Sequence, residues 1–281
     1  MACVHFAACA AILCISAQSF IIDPSASSSI VHVSRCQAAR LSFRETELRS
    51  KPREDALSLP ISIAVLRDVQ LERAVEVVRA LYEEGFNMIS VTADTKNFSK
   101  ILRSIPRSFF PDLLLGASSV TTLDEVDVAF ACAVNFVSST SCDPAIVKRT
   151  RDLGMVSIPG VSTPAQAASA VQAGGGILKL YPATNVSPNQ CRDIVNAIKT
   201  SNIPVVISGG VEPDQLQAYV KSGASGFAVG RTLFEPEKSS AEIADRARCF
   251  LLSWPQKRRR HRNIVESEDA GASQARPEPA T

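Results

Sequence analysis

Short β-rich runs recur about every 20–25 residues between positions 59 and 232, and this repeat limits the chain to few folds. The runs are 61–66 (ISIAVL), 88–92 (MISVT), 113–117 (LLLGA), 136–139 (FVSS), 156–161 (VSIPGV), 176–181 (GILKLY), 204–208 (PVVIS) and 226–229 (GFAV). They are too short for helices and too apolar for one solvated face, as expected of parallel strands covered on both sides. The segments between them carry helical spacing, such as Val69–Leu71–Ala74–Val75–Val78–Leu81, or Val211–Leu216–Val220 closing on Gly223. Two helix starts are written out: Thr122-Leu-Asp-Glu125 has capping-box spacing, and Thr163-Pro164-Ala-Gln166 adds a proline at the first helical position. Eight strands alternating with helices predict an α/β fold of the (β/α)8 TIM-barrel type, a single domain over 56–254. No GxGxxG follows the first run, which argues against a dinucleotide-binding sheet.

The flanks have another composition. Residues 1–19 form an uncharged apolar stretch ending in small residues, like a signal h-region and too short for a membrane span. A Ser/Arg-rich, acid-poor stretch follows, with Arg35, Arg40, Arg44, Arg49 and Arg53. Together residues 1–55 read as a bipartite leader addressed to a plastid, with a mitochondrial address or secretion as alternatives. Residues 255–281 run from a basic block into an acidic, Pro/Ala/Ser-rich end without periodicity, the composition of a disordered tail. Four of the eight cysteines (Cys3, Cys9, Cys14, Cys36) lie in the leader. Cys132, Cys142, Cys191 and Cys249 lack CxxC spacing and read as buried small residues. All three histidines fall outside the expected domain, so neither a zinc site nor a histidine base is expected. With 30 Lys+Arg against 28 Asp+Glu, nothing calls for nucleic acid, and no membrane contact is expected of the mature form.

A barrel carries its chemistry at the C-terminal ends of its strands. There the chain offers Arg67, Thr92–Asp94–Thr95, Ser118–Ser119, Ser139–Thr140–Ser141, Pro159–Gly160 with Thr163 beyond, Lys179, Ser208–Gly209–Gly210, and Gly230–Arg231–Thr232. Lys179 is the anomaly, a lone cation in an otherwise buried strand. It is either a lysine snorkelling from a strand end or one with a pKa lowered by burial, fit for a Schiff base with a carbonyl substrate. Gly209 and Gly210 either make a tight turn or, with Gly230, Arg231 and Thr232, a phosphate site of backbone N–H groups after strands seven and eight. Asp94 is either the N-cap of the helical run Phe98–Leu102 or a carboxylate that swings inward as a base.

These segments resemble the 2-keto-3-deoxy-6-phosphogluconate (KDPG) aldolase family. The resemblance covers about residues 59–235 and rests on A-V-L-R (64–67), V-T-x-x-T (91–95), G-A-S-S-V (116–120), I-P-G-V-S-T-P (158–164), L-K-L-Y-P-A (178–183), S-G-G-V (208–211) and V-G-R-T (229–232). It implies a class I aldolase, a lyase of the Entner–Doudoroff type without cofactor or metal and usually a homotrimer. Such an enzyme cleaves a phosphorylated 2-oxo acid into pyruvate and glyceraldehyde 3-phosphate. By the same resemblance Lys179 forms the Schiff base, Gly209, Gly210, Arg231 and Thr232 hold phosphate, and Arg67 and Ser119 contact substrate; Thr140 and Thr163 are further substrate-binding candidates as hydroxyls at the strand ends. Asp94 is then the nearest carboxylate for proton transfer. The family pattern breaks at strand two, where typical members read E-V-T-x-R-T. Here Ser90 stands for the acid–base glutamate and Asp94 for the carboxylate-holding arginine. The usual S-P-G after strand four is Ser138–Ser139–Thr140. Two alternatives follow: a related lysine-dependent lyase on another 2-oxo acid, or a non-catalytic barrel that binds a sugar phosphate.

Overall fold

The computed structural model describes residues 60–255, so the expected leader and tail lie outside the described residues. The strands are β1 (Ile61–Leu66), β2 (Met88–Thr92), β3 (Leu114–Ser118), β4 (Phe136–Ser138), β5 (Val156–Ile158), β6 (Gly160–Val161), β7 (Leu178–Leu180), β8 (Val205–Ser208) and β9 (Gly226–Val229). All pair in parallel, in the order β5-β4-β3-β2-β1-β9-β8-β7-β6. The two ends of that order, β5 and β6, are one stretch of chain interrupted only at Pro159. Ile158 accepts from Ser139 N on one side and Pro159 accepts from Lys179 N at 2.9 Å on the other, which closes the barrel. The sequence expectation of eight strands therefore stands, the fifth being split at its proline, which has no N–H to give a ladder.

Strand parity sorts the side chains into two cores. Ile61, Ile63, Met88, Phe136, Ile158, Ile177, Val206 and Ala228 form one apolar cluster to which no helix contributes, the filling of the barrel's lower interior. Their neighbours of opposite parity, including Ala64, Leu66, Ile89, Val91, Leu115 and Ile207, pack outward in a second cluster that includes helical residues such as Val77, Val78, Ile194 and Ala247. Gly116 has a packing reason: a β-carbon there would run into the ring of Phe136, which fills the barrel floor.

The outer layer is α1 (Ala74–Glu84), α2 (Phe98–Ser104), α3 (Leu123–Ala131), α4 (Pro144–Asp152), α5 (Pro164–Ala173), α6 (Pro188–Ala197), α7 (Leu216–Lys221) and α8 (Ser240–Ser253). Both expected helix starts form. Thr122 and Glu125 make a reciprocal capping box, and Thr163 Oγ1 accepts from Gln166 N at 3.2 Å ahead of Pro164. Elsewhere the structure corrects the sequence. The α1 helix begins at Ala74 rather than at Val69. Asp94 does not cap α2; Asn97 occupies that position in the left-handed region without a side-chain bond. Of the described cysteines, Cys132 and Cys191 are buried as expected, Cys142 is half-buried, and Cys249 is exposed.

Candidate active site

Above the apolar floor the inward positions change character. Ser90 on β2, Ser118 on β3, Ser138 on β4, Lys179 on β7 and Ser208 on β8 share the inward parity of Met88, Phe136, Ile177 and Val206, and all five are buried. Lys179 is only 6% exposed. Its Nζ donates to Ser138 Oγ at 2.9 Å and stands 5.4 Å from the centroid of the Tyr181 ring, and no carboxylate among the described residues pairs with it. A snorkelling lysine would carry its ammonium to water, which this one does not. Burial pushes its pKa down from 10.5 to about 8, because a charge away from water loses hydration that one hydroxyl does not replace. Near neutrality a fraction of Lys179 is thus the free amine, the form that attacks a carbonyl.

Lys179 opens into a cavity of about 1110 Å³ at the C-terminal ends of the strands. On one side stand the turns after β8 and β9. Gly209 and Gly210 have φ of +93° and +73°, a left-handed backbone in which other residues are strained. Space is short as well: a β-carbon on Gly209 would lie 3.0 Å from the Tyr181 ring, and one on Gly210 would lie 2.5 Å from Thr184 Cγ2. After β9, Gly230 accepts from both Leu233 N and Phe234 N at 2.8 Å, a single helical turn. Thr232 Oγ1 donates to the Val211 carbonyl at 3.3 Å and so ties the two turns together. Arg231 is exposed on the rim.

A charged cluster stands beyond β1, the strand next to β9. Arg67, just beyond β1, is ion-paired with Asp94, and its other terminal nitrogen donates to Ser119 Oγ at 3.1 Å. Asp94 lies below its usual pKa: partial burial raises it, but a hydrogen bond with Thr92 and the Arg67 charge outweigh that. Ser119 holds φ of +57°, unusual without glycine.

The cavity thus gathers Lys179, Arg67, Ser119, Thr140, Gly209, Gly210, Arg231 and Thr232 from the expected set. It does not gather two. Thr163, whose Oγ1 accepts from Gln166 N at the start of α5, and Asp94, which turns to Arg67, are not among the lining residues. Ser90 is fully buried; its Oγ donates to the Ala64 carbonyl at 3.3 Å and sits 3.1 Å from Ser118 Oγ. Sequence reasoning missed Ser138 as the lysine's partner and Thr184 as the residue packed on Gly210. Inward parity with Phe136 was the available signal for Ser138; Thr184 had none, because it follows a strand end.

The chain compares closely with known proteins over this domain. The family model for KDPG and KHG aldolases matches residues 54–248. A probable 2-dehydro-3-deoxy-6-phosphogalactonate aldolase of Rhizobium meliloti is 29% identical over 192 residues, covering 68% of this chain and 90% of that protein. The 2-dehydro-3-deoxy-6-phosphogalactonate aldolase of Escherichia coli K12 is 25% identical over 196 residues, covering 70% and 95%. A solved structure described as native KDPGal superposes with a TM-score of 0.66 at 25% identity, covering 70% of this chain and 94% of that one. With the family model matching most of the barrel domain, the chain belongs to the KDPG and KHG aldolase family and is a lyase.

Proposed function

We propose that the protein is a Schiff-base aldolase that cleaves a 2-keto-3-deoxy-6-phospho sugar acid to pyruvate and glyceraldehyde 3-phosphate. The observation that carries this reading is Lys179: buried, with no carboxylate partner among the described residues, its pKa lowered to about 8, at the base of a cavity rimmed by close-packed glycines. The free amine attacks C2 of the keto acid, and the carbinolamine loses water to give an iminium. That iminium accepts the electron pair of the C3–C4 bond while the C4 hydroxyl gives up its proton. Glyceraldehyde 3-phosphate leaves, and the enamine is protonated at C3 and hydrolysed to pyruvate and free lysine. The N–H groups of Gly209 and Gly210 and the turn at Gly230 suit the phosphate, fixing C3–C4 over the lysine without taking part in the chemistry.

The proton at C4 meets no glutamate, since position 90 is a serine. Loss of a positioned proton-transfer group costs about 100- to 10,000-fold, so turnover should fall below that of ordinary family members by a factor in that range. The gluconate and galactonate epimers differ in one hydroxyl, and the relatives named above favour testing both. The decisive experiment is borohydride reduction with pyruvate, followed by mass mapping, beside cleavage assays on the two epimers with wild type and Lys179→Ala. A stable adduct on Lys179, and cleavage lost in the variant, are expected. No adduct would sink the reading; an adduct without cleavage of either epimer would move it to another 2-oxo acid.

The homotrimer and the plastid leader extend the same proposal. They are supported by the resemblance and by the Ser/Arg-rich composition before residue 55. Light scattering should give three times the protomer mass, and a fluorescent fusion of residues 1–55 should enter plastids; a monomer, or a wholly cytosolic signal, would refute each in turn.

A further inference from the structure

Arg67 and Asp94 lie on neighbouring loops that are stitched together below the pair. The backbone N–H of Asp68 donates to Thr95 Oγ1 at 3.0 Å, and Thr95 Oγ1 is 2.8 Å from Thr92 Oγ1, both hydroxyls being buried. Asp68 itself takes φ of +57°, so the turn after β1 is held in a conformation a non-glycine residue rarely adopts. Asp94 then pairs with one end of the guanidinium and Ser119 accepts from the other. Arg67 is thereby drawn across β2 toward β3. In barrel order that takes it away from β9, the neighbour of β1 on the other side, and from the glycine turns after β8 and β9. The charge stands on the side of the mouth where Ser138 faces Lys179 from β4, next door to β3.

The ion pair has little value as a brace. Its side chains are 44% and 53% exposed, and exposed pairs contribute about 0.2–1 kcal/mol. Geometry is what it supplies. A guanidinium has five N–H donors in a rigid fork, and two contacts leave donors free for a planar carboxylate.

We propose that Asp94 is a positioning residue that turns Arg67 away from the phosphate turns and sets its guanidinium beside Ser119 as the clamp for the substrate's C1 carboxylate. This rests on the aldolase reading above. The keto acid is anionic at both ends, and an unrestrained arginine on β1 would be free to serve either. Held by Asp94, it serves the end joined to the reacting carbonyl. Asp94 thus acts through another residue and not as the base.

The test measures borohydride trapping on Lys179 as a function of pyruvate, and separately of pyruvamide, which keeps the carbonyl but lacks the charge. The proteins are full-length wild type, Asp94→Ala, Asp94→Asn and the charge swap R67D/D94R. Half-saturating pyruvate should rise about three- to tenfold in both Asp94 variants, with trapping at saturation and the pyruvamide response unchanged. The swap should return to within about twofold of wild type, because a fork held from position 94 meets the same carboxylate. Melting midpoints should move by no more than about 4 °C, as fits loss of an exposed pair. Half-saturating pyruvate that stays constant, or that falls because Asp94 competes with substrate, overturns the positioning role while leaving the aldolase reading intact. Equal changes for pyruvate and pyruvamide overturn it too, since they mark a general distortion. Absence of adduct in wild type removes both at once.

Discussion

At the scale of single residues, Lys179 joins stability and reactivity. Its ammonium is disfavoured in the fold, with a pKa of about 8 against 10.5 for the free side chain. Below pH 8 folded and unfolded chains both carry the proton and the cost is constant. Between 8 and 10.5 the unfolded chain binds it and the folded chain does not, so stability rises with pH in that window. Lys179→Met should therefore stabilise the barrel at pH 7 by up to about 3 kcal/mol, a gain that fades toward pH 10, readable in paired urea melts. Adduct formation with pyruvate should climb with pH and level off above about 8, because only the free amine attacks. Ser90 gives the complementary prediction. Fully buried and 3.1 Å from Ser118 Oγ, it leaves no room for a longer side chain. Ser90→Glu alone should lose stability, whereas Ser90→Glu with Ser118→Gly should raise cleavage by up to about 100-fold, as a restored proton-transfer group would. No gain from the double variant would show that strand two does not limit the rate; a gain from the single variant would show that the glutamate fits without the second change.

At the scale of elements, most of the pattern was legible. The eight β-rich runs lie on the observed strands within about two residues, since apolar runs bounded by turn residues are a local signal. Thr122 and Thr163 announced their helices because a cap is written within four residues. The errors lie where local readings compete. Asp94 looked like a cap by spacing, yet a cation 27 positions earlier in the chain holds its carboxylate. Thr163 was read both as a cap and as a substrate contact; the cap forms, and the residue does not line the cavity. The glycine turn after β8 yields the element-scale prediction. At Gly210 a methyl group would meet Thr184 and force an unfavourable φ, lifting the turn from its place. Gly210→Ala should raise KM for the phosphorylated substrate by about tenfold and leave half-saturating pyruvate unchanged, because pyruvate has no phosphate to lose. An equal effect on both ligands would place the phosphate elsewhere.

At the scale of the whole molecule, the site depends on barrel closure. Lys179 meets Ser138 across the interior only because the chain at 156–161 pairs with β4 on one side and β7 on the other. Gly160 is the tight point of that seam, where a β-carbon would strike the Thr140 carbonyl. Gly160→Ala should destabilise the fold by about 1–3 kcal/mol, the usual cost of overpacking, and slow adduct formation on Lys179 at temperatures where the protein remains folded. Calorimetry and the trapping assay measure the two effects; lost stability with unchanged trapping would show that the lysine's setting does not need the seam.

The sequence by itself determined the barrel, the lysine in its sixth strand and the glycines after its seventh, because strand parity, helix caps and turn residues are properties of neighbours along the chain. Tertiary structure alone decided what those residues meet: Ser138 against Lys179, Thr184 against Gly210, and Arg67 held between Asp94 and Ser119. Each of these contacts joins different strands or the loops beyond them, and their meeting depends on how the strands are staggered around a closed barrel. That stagger is a consequence of all eight units packing at once, and no single segment encodes it.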